Sequence, residues 1–107
     1  MNTPLTETTY YILLSLVTPL HGYGIITNVS ELSNGQVLIA AGTLYGALEN
    51  LKKKGYIELF TESSLRKKKE YTLTEEGWRV LKEDFQRMKQ LVAISEELLG
   101  GKDNEKN

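Results

Sequence analysis

The pattern that most limits how this chain can fold lies in its last third. Trp78, Leu81, Phe85, Met88, Val92, Ser95 and Leu99 recur at alternating spacings of three and four. This is heptad spacing with one polar break at Ser95. Leu91 and Leu98 widen the stripe. Thr74 precedes it as a helix N-cap, and Glu75 and Glu76 follow in the first turn, where the helix dipole favours acids. The spacing predicts a helix over 75–100, ended by Gly100-Gly101, with 101–107 a polar, disordered tail. Such a helix is longer than roughly 30 Å, more than a small domain needs to cover its own core. Its apolar stripe therefore calls for a partner, and a two-fold homodimer supplies one. The rest of the composition agrees. The chain has 107 residues, no cysteine and one histidine, so neither disulfides nor an ordinary structural zinc site can add stability. Oligomerisation is the remaining route.

Upstream, the elements are short. Thr3-Pro4 reads as the start of a first helix, with Leu5, Ile12, Leu13, Leu16 and Val17 at helical spacing and Pro19 and Gly22 ending it. His21-Gly22-Tyr23-Gly24 turns into a second helix whose apolar face is Tyr23, Ile26, Val29 and Leu32, or Ile25, Val29 and Leu32. Ser33-Asn34-Gly35 stops it. A third helix runs from about Ala41 to Lys54, with Leu44, Leu48 and Leu51 on one face and Gly55 as its stop. Two strand-like runs follow, 56–61 and 69–73, joined by a polar tip to form an antiparallel hairpin.

The net charge of −1 and sequence pI near 5.9 are not the basic signature of a nucleic-acid binder. Its distribution is. Residues 1–51 hold three acids and no Lys or Arg. Residues 52–69 hold seven bases against two acids, and 70–107 hold six bases against nine acids. Cation is concentrated at the end of the third helix and in the hairpin. Lys52, Lys53 and Lys54 alone would be explained by the helix dipole, but the hairpin bases need another reason.

Three short helices followed by a hairpin is the element order of a winged helix-turn-helix, in which the third helix enters the DNA major groove and the hairpin, the wing, reaches the backbone or minor groove. The fold expected is mainly α with a small antiparallel β-hairpin: a winged helix-turn-helix over 1–74 and a long C-terminal dimerisation helix over 75–100. Gly42, Thr43, Gly46, Asn50 and Lys53 lie away from the leucine face of the third helix. Tyr45 sits beside them and Gln36 precedes them. Arg66, Lys67 and Lys68 in the wing are phosphate contacts by their charge. Leu13, Trp78, Leu81, Phe85, Met88, Leu91, Val92 and Leu99 are the dimer interface. His21 has no companion ligands in the sequence, and no metal or cofactor is called for.

Gly42-Thr43-Leu44-Tyr45, with Leu48, Leu51 and Lys54 to Ile57, resembles the recognition-helix motif of the PadR-like transcriptional regulators. Glu70 to Gly77 resembles their second wing strand and the start of their dimerisation helix, and His21 to Ile25 resembles their lead into the second helix. The resemblance runs from about Leu5 to Leu99. Where the family often has a glycine, basic residues and an aromatic pair leading into the second strand, this chain has Leu65-Arg66-Lys67-Lys68-Lys69-Glu70-Tyr71: the basic residues are kept, the glycine is absent and Glu70 stands for one aromatic. The resemblance implies a homodimeric bacterial repressor on a palindromic operator, and, in some short members, a flat aromatic effector bound between the subunits. Phe85 and Met88 are the candidate effector contacts.

Three other classes fit the sequence less well. An enzyme would need a nucleophile, a phosphate loop or a defined acid pair, and none is recognisable. A winged-helix protein–protein adaptor without DNA binding is the alternative, but a basic wing beside a basic helix end is superfluous to it. RNA binding lacks the aromatic stacking platform of the common modules. No run is apolar enough for a membrane span and the N-terminus lacks a basic flank, which leaves the cytoplasm as the expected compartment.

Overall fold

The computed structural model describes residues 3–63 and 68–106. Helix α1 spans Glu7–Ser15 and so starts three residues after Pro4 rather than at it. Thr6 is the N-cap: its hydroxyl accepts the Thr9 N–H at 3.1 Å. Ile12, Leu13 and Leu16 turn inward and are fully buried. Ser15 is buried with them and stays satisfied by donating to the Tyr11 carbonyl at 2.9 Å.

A strand that carries no alternation signal, β1 (Leu20–His21), comes next. The predicted hairpin is therefore a three-stranded antiparallel sheet in the order β1-β3-β2, where β2 is Ile57–Ser63 and β3 is Lys68–Leu73. β1 exists because Leu20 and His21 pair with Tyr71 and Glu70 of β3, a partner some fifty residues away in sequence. Ile57, Tyr71 and Leu73 face the core. The register slips between Leu59 and Thr61, so Leu59 and Phe60 are turned out to solvent.

Helix α2 (Gly22–Leu32) is capped by His21, whose Nδ1 accepts the Gly24 N–H at 3.1 Å. The single histidine is thus a helix cap. Ile25 and Val29 are the buried face. Tyr23 stands outside at 74% exposure, so of the two registers open to the sequence the Ile25 one holds. Asn34 and Gly35 end the helix with positive φ of 55 and 78°, and the Gly35 N–H reaches back to the Ser30 carbonyl.

Helix α3 (Ala41–Lys53) buries Leu44, Leu48 and Leu51. Gly55, at φ 80°, closes it: the Tyr56 N–H donates to the Leu51 carbonyl and the Gly55 N–H to that of Lys52, both at 3.0 Å. Helix α4 (Glu75–Lys106) then leaves the body. Thr74 ties the two together. Its hydroxyl donates to the Gly55 carbonyl at 2.5 Å and accepts the Gly77 N–H at 3.0 Å, and its own N–H donates to the Tyr56 carbonyl at 3.1 Å. α4 comes so close here that a Cβ on Gly77 would stand 2.0 Å from the Tyr56 carbonyl oxygen.

Two expectations are corrected by this packing. α4 passes through Gly100 and Gly101 and ends at Lys106, where an irregular tail was expected; a glycine costs a helix only about 1 kcal/mol relative to alanine, which lowers propensity without forbidding the turn. Leu13 and Leu81 are not partner-facing. They are 0 and 4% exposed inside the protomer core, because the helical spacing that suits a dimer seam equally serves the protomer's own interior.

Candidate nucleic-acid interface

With Leu44, Leu48 and Leu51 sealed against the body, the rest of α3 faces out. Gly42, Thr43, Gly46, Asn50 and Lys53 are all exposed, and nothing approaches within 4 Å of a Cβ built on Gly42 or Gly46. By helical rotation, Gly42, Gly46, Glu49 and Lys53 share a sector of about 60° opposite the leucines. Thr43 and Asn50 sit on one flank of it, and Tyr45 on the other. Asn50, with Ala47 and Lys54, borders a cleft of about 430 Å³ shared with the N-terminus of α1, including Thr6 and Thr9. Tyr45 is half-exposed and lies over the first turn of α2, where a Cβ on Gly22 would meet its hydroxyl at 2.6 Å. Gly22 is therefore the space that lets the Tyr45 ring cross from α3 to α2. Gln36 is exposed in the connection between these helices, its N–H donating to the Ser33 carbonyl.

Lysines cluster at the end of this face. Lys52 reaches Glu49 at 3.8 Å, a loose pair between exposed groups; Lys53 and Lys54 are exposed. Of the wing residues, Arg66 and Lys67 lie outside the described residues. Lys68 is the first residue of β3, paired with Ser63.

The second surface is on α4. Trp78 and Phe85 are partly exposed, each with a lysine over its ring: Lys82 at 5.6 Å and Lys89 at 5.5 Å. Met88 is half-buried. Leu91, Val92 and Leu99 are exposed, and so is Ile94, which the heptad reading passed over because it lies off the seam. Phe85 and Met88 do come together, in a groove of about 460 Å³ that also takes in Val92 and Tyr10 of α1. Nothing in the sequence singles out Tyr10 for this place: α1 offers two adjacent tyrosines, Tyr10 and Tyr11, and no spacing pairs either with Phe85. Its phenol is held above the ordinary value, first by burial and then by the Asp84 carboxylate. Asp84 is itself buried and accepts from Arg87 Nε at 2.9 Å.

The sequence model of the transcriptional regulator PadR-like family matches residues 12–83, from the first core positions through the docked start of α4. The chain belongs to the PadR-like family. Among solved structures, it is similar to a PadR family transcription regulator from Clostridium difficile R20291, with a TM-score of 0.72 at 23% identity over 88% of this chain and 99% of that one. A PadR family transcriptional regulator from Eggerthella lenta DSM 2243 matches at 0.68 and 28% identity, over 85 and 80% of the two chains. BpsR of Bordetella bronchiseptica matches at 0.68 and 18% identity, over 90 and 68%. Comparison with curated protein sequences finds no match. The PadR-like winged helix-turn-helix with a C-terminal helix is thus the fold, and transcriptional regulation the function class. Among the described residues, no helix is long and apolar enough to cross a membrane and no cluster of side chains could hold a metal ion.

Proposed function

We propose that this PadR-like regulator is a homodimeric repressor that reads a palindromic operator with α3 in the major groove. The observation that carries the reading is the outward face of α3. It combines two glycines that admit close backbone approach with Thr43, Asn50 and Lys53, which can donate to bases or phosphates. Tyr45 and Gln36 flank it as phosphate donors, and Arg66, Lys67 and Lys68 of the wing add charge along the backbone. Dimerisation runs through the exposed apolar row of α4, which brings two copies of α3 to successive major grooves. The groove at Phe85, Met88 and Tyr10 is the right chemistry for a flat aromatic effector, with two rings and a thioether. In BpsR of Bordetella bronchiseptica, 6-hydroxynicotinic acid regulates DNA binding, which makes a small aromatic acid the first compound to try.

The test is a gel-shift with the DNA upstream of the protein's own gene at two salt concentrations. A specific shift at moderate salt is expected. Replacing Lys67 and Lys68 together by alanine should weaken binding to every sequence and flatten its salt dependence. No specific shift would favour a protein–protein adaptor.

A further inference from the structure

The outward sector of α3 contains one residue that does not suit phosphate at all. Glu49 is the single acid of the helix, its side chain is 66% exposed, and it lies between Gly46 and Lys53 along the axis, on the edge of the outward sector nearest Tyr45. Its nearest cation, Lys52, is 3.8 Å away on an exposed i,i+3 pairing. Such pairs are weak, so the carboxylate is available to another partner. The two glycines beside it leave open space, so nothing on the helix holds Glu49 back from a surface that α3 approaches.

We infer that Glu49 is a specificity-determining residue that accepts a hydrogen bond from the exocyclic amino group of a cytosine in the operator. This rests on the placement of α3 in the major groove. A carboxylate is acceptor-only. Facing phosphates it is repelled, so it weakens binding to DNA at large. Amino groups are the donors that base edges offer in the major groove, on cytosine N4 and adenine N6. Adenine sets its N7 acceptor beside N6, which opposes a second acceptor and favours amides instead; cytosine presents N4 without that neighbour. Glu49 therefore lowers affinity for all DNA and restores it where a cytosine meets it. Discrimination is the result.

The experiment is selection of binding sites from random duplexes by the intact protein and by Glu49→Ala and Glu49→Gln, with thermal melts to confirm that both variants fold. The wild type should select a cytosine at one position of each half-site. Glu49→Ala should lose that preference alone, bind the cytosine operator about tenfold more weakly, and bind random DNA more tightly. Glu49→Gln should move the preference toward adenine, the base that suits an amide. If Glu49→Ala selects the same motif as the wild type, this inference fails while the operator reading stands. If the wild type selects no motif, both fail together.

Discussion

The two ends of α4 obey different rules. Near its start, every inward position has a neighbour from its own protomer: Gly77 lies against Tyr56, and Val80, Leu81 and Asp84 are buried. From Lys89 to Leu99 every residue is exposed, and that stretch carries Leu91, Val92, Ile94, Leu98 and Leu99. One helix thus begins as part of a closed core and continues as a bare apolar rod, which makes the molecule 62 Å long against widths of 31 and 20 Å. The body has what it needs to fold; the rod is explained only by something that covers it. Burying a leucine or valine side chain is worth about 1.5–3 kcal/mol, so two rods of this kind gain enough from each other to hold a dimer.

The most disruptive test of that contrast is Leu91→Glu with Leu98→Glu. Four leucines leave the paired surface and four carboxylates replace them, for an expected loss of roughly 6 kcal/mol or more in association. Sedimentation equilibrium should report a halved mass while circular dichroism keeps the winged body. A dimer that survived both charges would show that the rod is not the paired surface.

Gly77→Ala attacks the other end. The added methyl meets a backbone carbonyl oxygen that itself accepts from Thr74, so neither group can swing aside and α4 must shift. Overpacking of this kind costs about 3 kcal/mol, read as a lower melting temperature of the whole body, because Thr74 links the α4 start to the end of α3. An unchanged melt would mean that α4 is docked loosely.

Sequence reading succeeds where the determinant is local. Leu44, Leu48, Leu51 and Gly55 announce α3 and its stop, and Thr74-Glu75-Glu76 announces the start of α4. It fails where the determinant is a distant partner. Two residues have no period, so β1 becomes a strand only by its pairing with β3. Leu13 and Leu81 have the same spacing whether they pack inside a protomer or between two. Gly22 and Gly77 gain their meaning from Tyr45 and Tyr56, neighbours that no periodicity names. Glu49 sits on the face that the leucine spacing itself defines, but its charge argues against a DNA surface until base edges, rather than phosphates, are considered.

The smallest expected effect probes the boundary between the two regions. Tyr10 belongs to the body but lines the groove at Phe85 where the rod begins. Burial, and next Asp84, raise its phenol above 10.0. The neutral, protonated form is thus favoured in the folded protein. Its contribution to stability is complete below the unfolded value and is lost as pH rises through the higher folded one. NMR titration with labelled tyrosine should find the Tyr10 midpoint above the ordinary tyrosine range, and Asp84→Asn should bring it down by removing a nearby negative charge. With α4 paired as proposed, a partner rod laid over this groove would strip more water from the phenol, so the midpoint should be higher in the wild type than in the Leu91→Glu, Leu98→Glu variant. Equal midpoints in the two would place the groove outside the covered surface and leave it open to effectors in either state.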